Sequence, residues 1–522
     1  MGSVRQKDAL RVASIFSVPK PAGILRPFGI LSISFHRYFF DGFRIKMTSR
    51  VPSPGHDRLN AAIQMASNIV LVGLVLTAVA FGIFSAAYGQ SHLLFRLVLV
   101  FSVSIAVALL FRLRPDVRML GASVFIGLGA GLYCVEGLSI ALTDPDRPAL
   151  HAMEEAAKKD GVVFDDRTRL EVLADMRSRG VTAWPPFYPY LLLNSPLRAG
   201  DRDILPLGSL SNARTVCCNE GGRYLLYTTD EHGFRNPPGS WSNIPADVAI
   251  VGASSAASEC VDDPDSLVTL LRARYPRTIT VGAGGNGPLL ELASIREYLP
   301  AVRPRLILWL FGEVHTPEYL EGEVHNALAL HYLDPEFRQD LFSKQKEIDR
   351  AVASYFEKGI QGEEALRRPA HRAREFAALT DTRMLMYYFA TARFTPHKQA
   401  AGFDTALYER ALREGVKTAG QWGGSVVVVF WPDSSRYPGG PGYSPENISR
   451  LNLLRDTILR IAAKNGASAI DLSHSFSENG NAAVSNAQFF YPFPAHFKPA
   501  GYRAAAAALI AAVSRLELKP GE

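Results

Sequence analysis
Residues 251–260 read Val-Gly-Ala-Ser-Ser-Ala-Ala-Ser-Glu-Cys (VGASSAASEC) and continue an apolar run, Asp247 to Val251, that has the length of a buried strand. A string of small residues directly after a strand suits a tight turn or a helix start. Outward from this point the same alternation repeats. Apolar runs of strand length occur at Asp247 to Val251, Thr278 to Val281, Leu306 to Phe311, Ser425 to Trp431 and Ser468 to Leu472. Helical patterns lie between and after them, among them PLLELASIREYL, ALYERALREGVKTAG and AGYRAAAAALIAAVSRL. Short apolar strands alternating with helices predict a five-stranded parallel sheet covered on both faces, a three-layer α/β/α domain. Ligands in such sheets bind beyond the carboxyl ends of the strands.

That rule singles out three places. Ser254 follows the first strand, where backbone amides at a helix start stabilise developing negative charge; a serine there can equally be a helix N-cap. Gly282-Ala-Gly-Gly-Asn-Gly-Pro288 follows the second strand and opens a helix, so it can bring amides to a ligand. It also spells GxGxxG, with Glu313 near the end of the next strand, which leaves a dinucleotide site and a plain tight turn as alternatives. His496, in YPFPAHFKPAGYR, precedes the last helix, where a histidine can act as a general base or simply lie on the surface.

Length and composition bound the rest. A chain of 522 residues suggests two to four units, and a formal charge of +6 with scattered arginines gives no footprint for nucleic acid. Ile69 to Tyr88 carries no charge over twenty residues, enough to cross a membrane as a helix. Leu93 to Phe111, with Arg96, and Met119 to Leu142, with Glu136, are further candidate spans; a buried helical hairpin is the soluble alternative. Arg50, Arg58, Arg112, Arg114 and Arg118 place the flanks they occupy in the cytoplasm. Everything beyond residue 143 is then expected outside it, in the periplasm of a bacterium, on a multi-pass inner-membrane protein. The expected divisions are a basic segment 1–60, with Met47 a possible true start, three transmembrane helices in 61–145, an extension 146–245, and a catalytic-type domain 246–516 with a charged helical insertion at about 316–420.

With these residues in place, the chain resembles the SGNH hydrolases, or GDSL esterase/lipase family, over roughly residues 200–515. It is most similar to the bacterial membrane-anchored branch in which a DEHGFRNP-type segment, here Asp230 to Pro237, precedes the first strand. The resemblance implies a flavodoxin-like SGNH fold. It puts the nucleophile block on Gly252-Ala253-Ser254, the second-block oxyanion glycine on Gly285, and the base, followed by Pro-x-Gly-Tyr, on His496. Three positions depart from the family pattern. Ala253 replaces the first-block aspartate, Glu313 stands where the third block has its oxyanion asparagine, and Phe493 replaces the acid three residues before the histidine. Asp471, in Asp-Leu-Ser-His474, is the expected orienting acid for His496 from a neighbouring loop, and Asn286 the expected replacement oxyanion donor. An anionic Glu313 would repel an oxyanion. If the domain is periplasmic, Cys260 pairs with Cys217 or Cys218; three reduced thiols are the alternative. The expected function is a membrane-anchored serine esterase or acyltransferase acting on acyl or acetyl groups of a carbohydrate or lipid, with no metal or organic cofactor and no nucleic-acid partner. A degenerate SGNH-fold protein that binds a glycan or a membrane partner is the other reading.

Overall fold
The structure is a computed structural model. It describes residues 61–65, 68–69, 71–72, 114–142, 153–155, 157–158, 161–242, 244–366, 376–377, 379, 382, 403–476, 486–491 and 496–516. The chain divides into two units, one containing Pro21–Leu142 and Arg368–Phe394, the other Thr143–Arg367 and Thr395–Glu522.

In the first unit the helix Pro115–Leu142 is described throughout. Its stretch Met119–Ser139 is long and apolar enough to cross a membrane, and Leu120, Val124, Ile126, Leu128 and Leu138 lie exposed along it. The third span expected from sequence, Met119 to Leu142, falls on this helix. The second span and most of the first lie outside the described residues, as do residues 1–46 and Phe493. Part of the charged insertion belongs with this helix: Glu136 accepts the amide of Thr382 at 2.7 Å, and the Tyr133 and Phe376 rings sit 5.2 Å apart.

The second unit is built on the expected parallel sheet. Its strands are β1 (Val248–Val251), β2 (Thr278–Thr280), β3 (Leu306–Gly312), β4 (Ser425–Trp431) and β5 (Ser468–Asp471), in spatial order 5-4-3-1-2 with every pair parallel. Successive side chains of a strand point to opposite faces, so each strand feeds two cores. Ala249, Val251, Ile307, Trp309, Val426 and Val428 pack on one face with Leu289 and Leu292 of the helix Pro288–Val302 and Leu412 of Thr405–Gly420. Val248, Ile250, Leu306, Leu308, Val427 and Val429 pack on the other with Leu267 and Leu271 of Leu267–Arg272 and Tyr502 and Leu509 of Pro499–Arg515. Burial on both faces is why these strands read as continuous apolar runs rather than alternating ones.

The chain leaves β1 toward β2 on one side, then crosses to β3 on the other. That order creates a topological switch point between β1 and β3, the place where open α/β sheets form a crevice.

The extension before the sheet joins the first of these cores through Leu173, Phe187, Leu192 and Leu207. Its helix Arg169–Ser178 starts at a capping box, with Thr168 accepting from the Glu171 amide and Glu171 from that of Thr168. The DEHGFRNP segment explains its own composition. Asp230, fully buried, accepts from the amides of His232 and Phe234, from Asn236 and from the Trp241 indole. Asn236 then continues the sheet past its edge, taking the Thr280 amide and donating to the Thr280 carbonyl, both at 2.8 Å.

Candidate active site
Beyond β1 the backbone turns sharply at Gly252 (φ +154°), where a Cβ would press on those of Ala256 and Leu310 at 3.1 Å. Ser254–Ala257 forms a single helical turn. One turn carries little macrodipole, so its contribution to anion binding is the free amide of its first residue. The carbonyl four residues before Ser254, that of Ile250, accepts the Val281 amide instead. Among the described residues no other backbone carbonyl takes its amide, nor that of Gly285. The turn closes through Ser258 (φ 52°) and Cys260 (φ 66°), both left-handed and neither a glycine, a conformation costing roughly 1–2 kcal/mol each. Three attachments offset that cost. Arg235 of the DEHGFRNP segment donates to the carbonyls of Ser258 (2.5 Å) and Val261 (2.8 Å), the Ser258 hydroxyl accepts the Leu267 amide (2.8 Å), and Cys260 is disulfide-bonded to Cys218.

The disulfide resolves the pairing left open by the sequence. Cys217 stays a buried thiol whose pKa burial pushes up to about 12, so it is a poor competitor for exchange. Cys218, Glu220 and Cys260 lie close enough together to resemble a metal-ligand group, but the two sulfurs are bonded to each other.

His496 is carried by a short antiparallel bridge, Phe490 against Phe497, immediately before the helix Pro499–Arg515. Its partner is the main correction to the expected site. Nδ1 lies 2.5 Å from Oε1 of Glu220 and 3.6 Å from Sγ of Cys260. Asp471, the acid expected from sequence, instead accepts the Ser473 amide at 2.8 Å and sits 3.7 Å from Arg455. The reason is topological: Asp471 ends β5, at one edge of the sheet, whereas β1 is separated from it by β4 and β3. The extension reaches His496 from outside the sheet, and the Cys218–Cys260 bond brings Glu220, two residues beyond Cys218, to the turn. Burial lowers the pKa of His496, but the charges of Glu220 and Glu259 and the bond to Glu220 outweigh it and raise it to about 9. Glu259 is itself buried, and that burial raises its pKa despite His496. Sequence reasoning missed Glu220; the expected pairing of Cys260 with Cys217 or Cys218, in the stretch Thr215–Gly222 (TVCCNEGG) that also holds Glu220, was the signal that could have found it.

The glycine loop threads between the Ser254 turn and the extension. A Cβ on Gly282 would fall 2.5 Å from that of Ala256, one on Gly284 would meet Tyr188 and Glu259, and one on Gly285 (φ +77°) would lie within the Tyr190 ring. Asn286 is buried, and both atoms of its carboxamide are without a hydrogen-bond partner. An unmet buried amide costs about 1–3 kcal/mol.

The dinucleotide alternative fails here. A pyrophosphate would need the amides opening the helix Pro288–Val302, yet the buried Glu323 carboxylate already accepts from Gly287, Leu289 and Leu290. Burial still raises Glu323 to about 8 against those three bonds. Glu313, the acid that would have met a ribose, is bound by the Arg436 guanidinium and accepts the Asp433 amide. The same pairing matters for the oxyanion: Glu313 lies against a cation, although burial raises its pKa in spite of Arg436.

No family model matches the sequence, and no curated protein does. Solved structures overlay on about half of the chain. An acetyl xylan esterase, AlAXEase, is 12% identical, with 51% of this chain and 99% of that one covered at a TM-score of 0.30. LAE5, an alpha/beta hydrolase enzyme from the metagenome of Lake Arreo, Spain, is 15% identical over 53% of this chain and 99% of its own, TM-score 0.30. A catalytic mutant of Axe2, an acetylxylan esterase from Geobacillus stearothermophilus, is 15% identical over 52% and 94%, TM-score 0.27. Overlays this loose transfer nothing to the present chain, whose architecture rests on its own sheet order and register.

Proposed function
We propose that the chain is an SGNH-type serine hydrolase or acyltransferase acting on ester-linked acyl groups. The observation that carries this reading is the buried Glu220 carboxylate held on Nδ1 of His496, which fixes the ring and leaves Nε2 for the nucleophile. Ser254 would attack the acyl carbonyl, His496 would take its proton and return it to the leaving alkoxide, and Glu220 would stabilise the imidazolium formed in between. The amides of Ser254 and Gly285 and the unpaired carboxamide of Asn286 would receive the oxyanion, replacing the asparagine that Glu313 displaces. An acyl-enzyme resolved by water makes an esterase; resolved by another hydroxyl, an acyltransferase. An inner-membrane protein with three N-terminal spans and a periplasmic site is part of the same proposal, supported by the exposed apolar helix Met119–Ser139 and by the disulfide.

Labelling of the purified protein with a fluorophosphonate probe tests the chemistry. Wild type should label, and Ser254→Ala and His496→Ala should not. Absence of labelling in folded wild type at pH 9 would exclude an activated serine. One observation favours the second reading, a binding protein without turnover: at neutral pH an imidazole raised to about 9 is mostly protonated and cannot act as a base.

A further inference from the structure
We propose that Tyr190 and Tyr319, continued outward by His315, form a platform that binds a sugar ring of the substrate beside the glycine loop; this rests on the hydrolase reading and names its substrate class. The rings form a stepped row. Tyr190 lies against Gly285, the Tyr190 and Tyr319 centroids are 6.2 Å apart with planes 22° apart, and Tyr319 and His315 follow at 5.7 Å and 16°. These separations fall in the range of offset-stacked aromatic pairs. Tyr190 and Tyr319 are half-buried and His315 is exposed. The platform is rigid at its base, because Leu193 beside Tyr190 accepts from Asn326, just beyond the helix His315–Glu323 that carries Tyr319.

Its rim selects the occupant. Glu318 Oε2 and Asp433 Oδ2 lie 3.9 and 3.8 Å from the two nitrogens of His315, at ion-pair rather than hydrogen-bond distance, and retain acceptor capacity. A pyranose offers what both parts require: axial C–H groups for flat rings and hydroxyls for charge-assisted bonds to carboxylates. A fatty chain laid here would strip water from two carboxylates without replacing it. A nucleotide would stack, but its phosphates would meet Glu318 and Asp433.

The test measures binding separately from turnover. Full-length Ser254→Ala, purified in a detergent without a sugar headgroup, is titrated calorimetrically with tetrasaccharides of glucose, of xylose and of N-acetylglucosamine. At least one should bind, and Tyr319→Ala added to that background should weaken it ~5–30-fold, the equivalent of one to two kcal/mol. Tyr319→Phe should stay within about twofold, since the face and not the hydroxyl makes the contact; this variant also guards against misfolding as the cause. Binding of none of the three, or binding that Tyr319→Ala leaves unchanged, overturns the platform even if wild type reacts with the fluorophosphonate. Platform-dependent binding by a chain that never labels supports the platform and overturns the hydrolase reading alone.

Discussion
On the proposed hydrolase reading, the proton on His496 decides when the site can work. Its pKa of about 9 reflects two acids overcoming burial, and a general base must first lose that proton. Ester turnover, measured as kcat/KM, should therefore rise from pH 7 and level near pH 9. The stability contribution runs the other way. A folded value above the ordinary 6.5 means the pair with Glu220 stabilises fully below that value and is lost as pH climbs through about 9. Thermal melts between pH 6 and 9.5 should thus fall while activity rises. Glu220→Gln should move the acidic limb of the rate profile to lower pH, since the main raising partner is gone, and cut the rate by ~10²–10⁴. An unmoved limb would mean that Glu220 is not the partner in solution. Ser254 and His496 could be nominated from the sequence because each follows or precedes a regular element in a recognisable pattern. Glu220 was not: it lies 276 residues from His496, in a segment with no periodicity.

The segments that hold the site combine one short ladder, the strands Arg214–Val216 and Leu226–Thr228 that flank Cys218 and Glu220, with side-chain attachments. Asp230 gathers four donors, Asn236 completes the edge of β2, and Arg235 grips the left-handed turn after Ser254. The Cys218–Cys260 bond closes a loop of sequence separation 42. A chain-entropy account puts its stabilisation at about 4 kcal/mol. Reduction should lower the melting temperature and, by loosening Glu220 from His496, lower turnover more steeply than stability. Equal turnover in reduced and oxidised protein below the melting range would show that the bond does not position the acid. The dinucleotide alternative for the Gly282–Gly287 loop shows the limit of a spacing pattern. Only the approach of Glu323, from the helix His315–Glu323 beyond the next strand, reveals that the needed amides are already taken.

The two units raise a question of placement that a fusion experiment answers. An alkaline phosphatase joined after residue 516 should be active in bacteria, which requires export, and one joined in the arginine-rich connection at 112–118 should be inactive; the reverse pattern would overturn the proposed orientation. Within the second unit, all five strands fall where apolar runs of strand length stand in the sequence, and the helices between them force parallel pairing. Such features are local, set by contiguous residues whose period and burial can be read directly, and they carry with them which loops lie at the carboxyl ends. The order 5-4-3-1-2, the choice of Cys218 over Cys217, the exchange of Asp471 for Glu220 and the division of the insertion between two units were decided only in three dimensions. Each depends on which distant side chains meet once the sheet is assembled, and no spacing along the chain records that meeting.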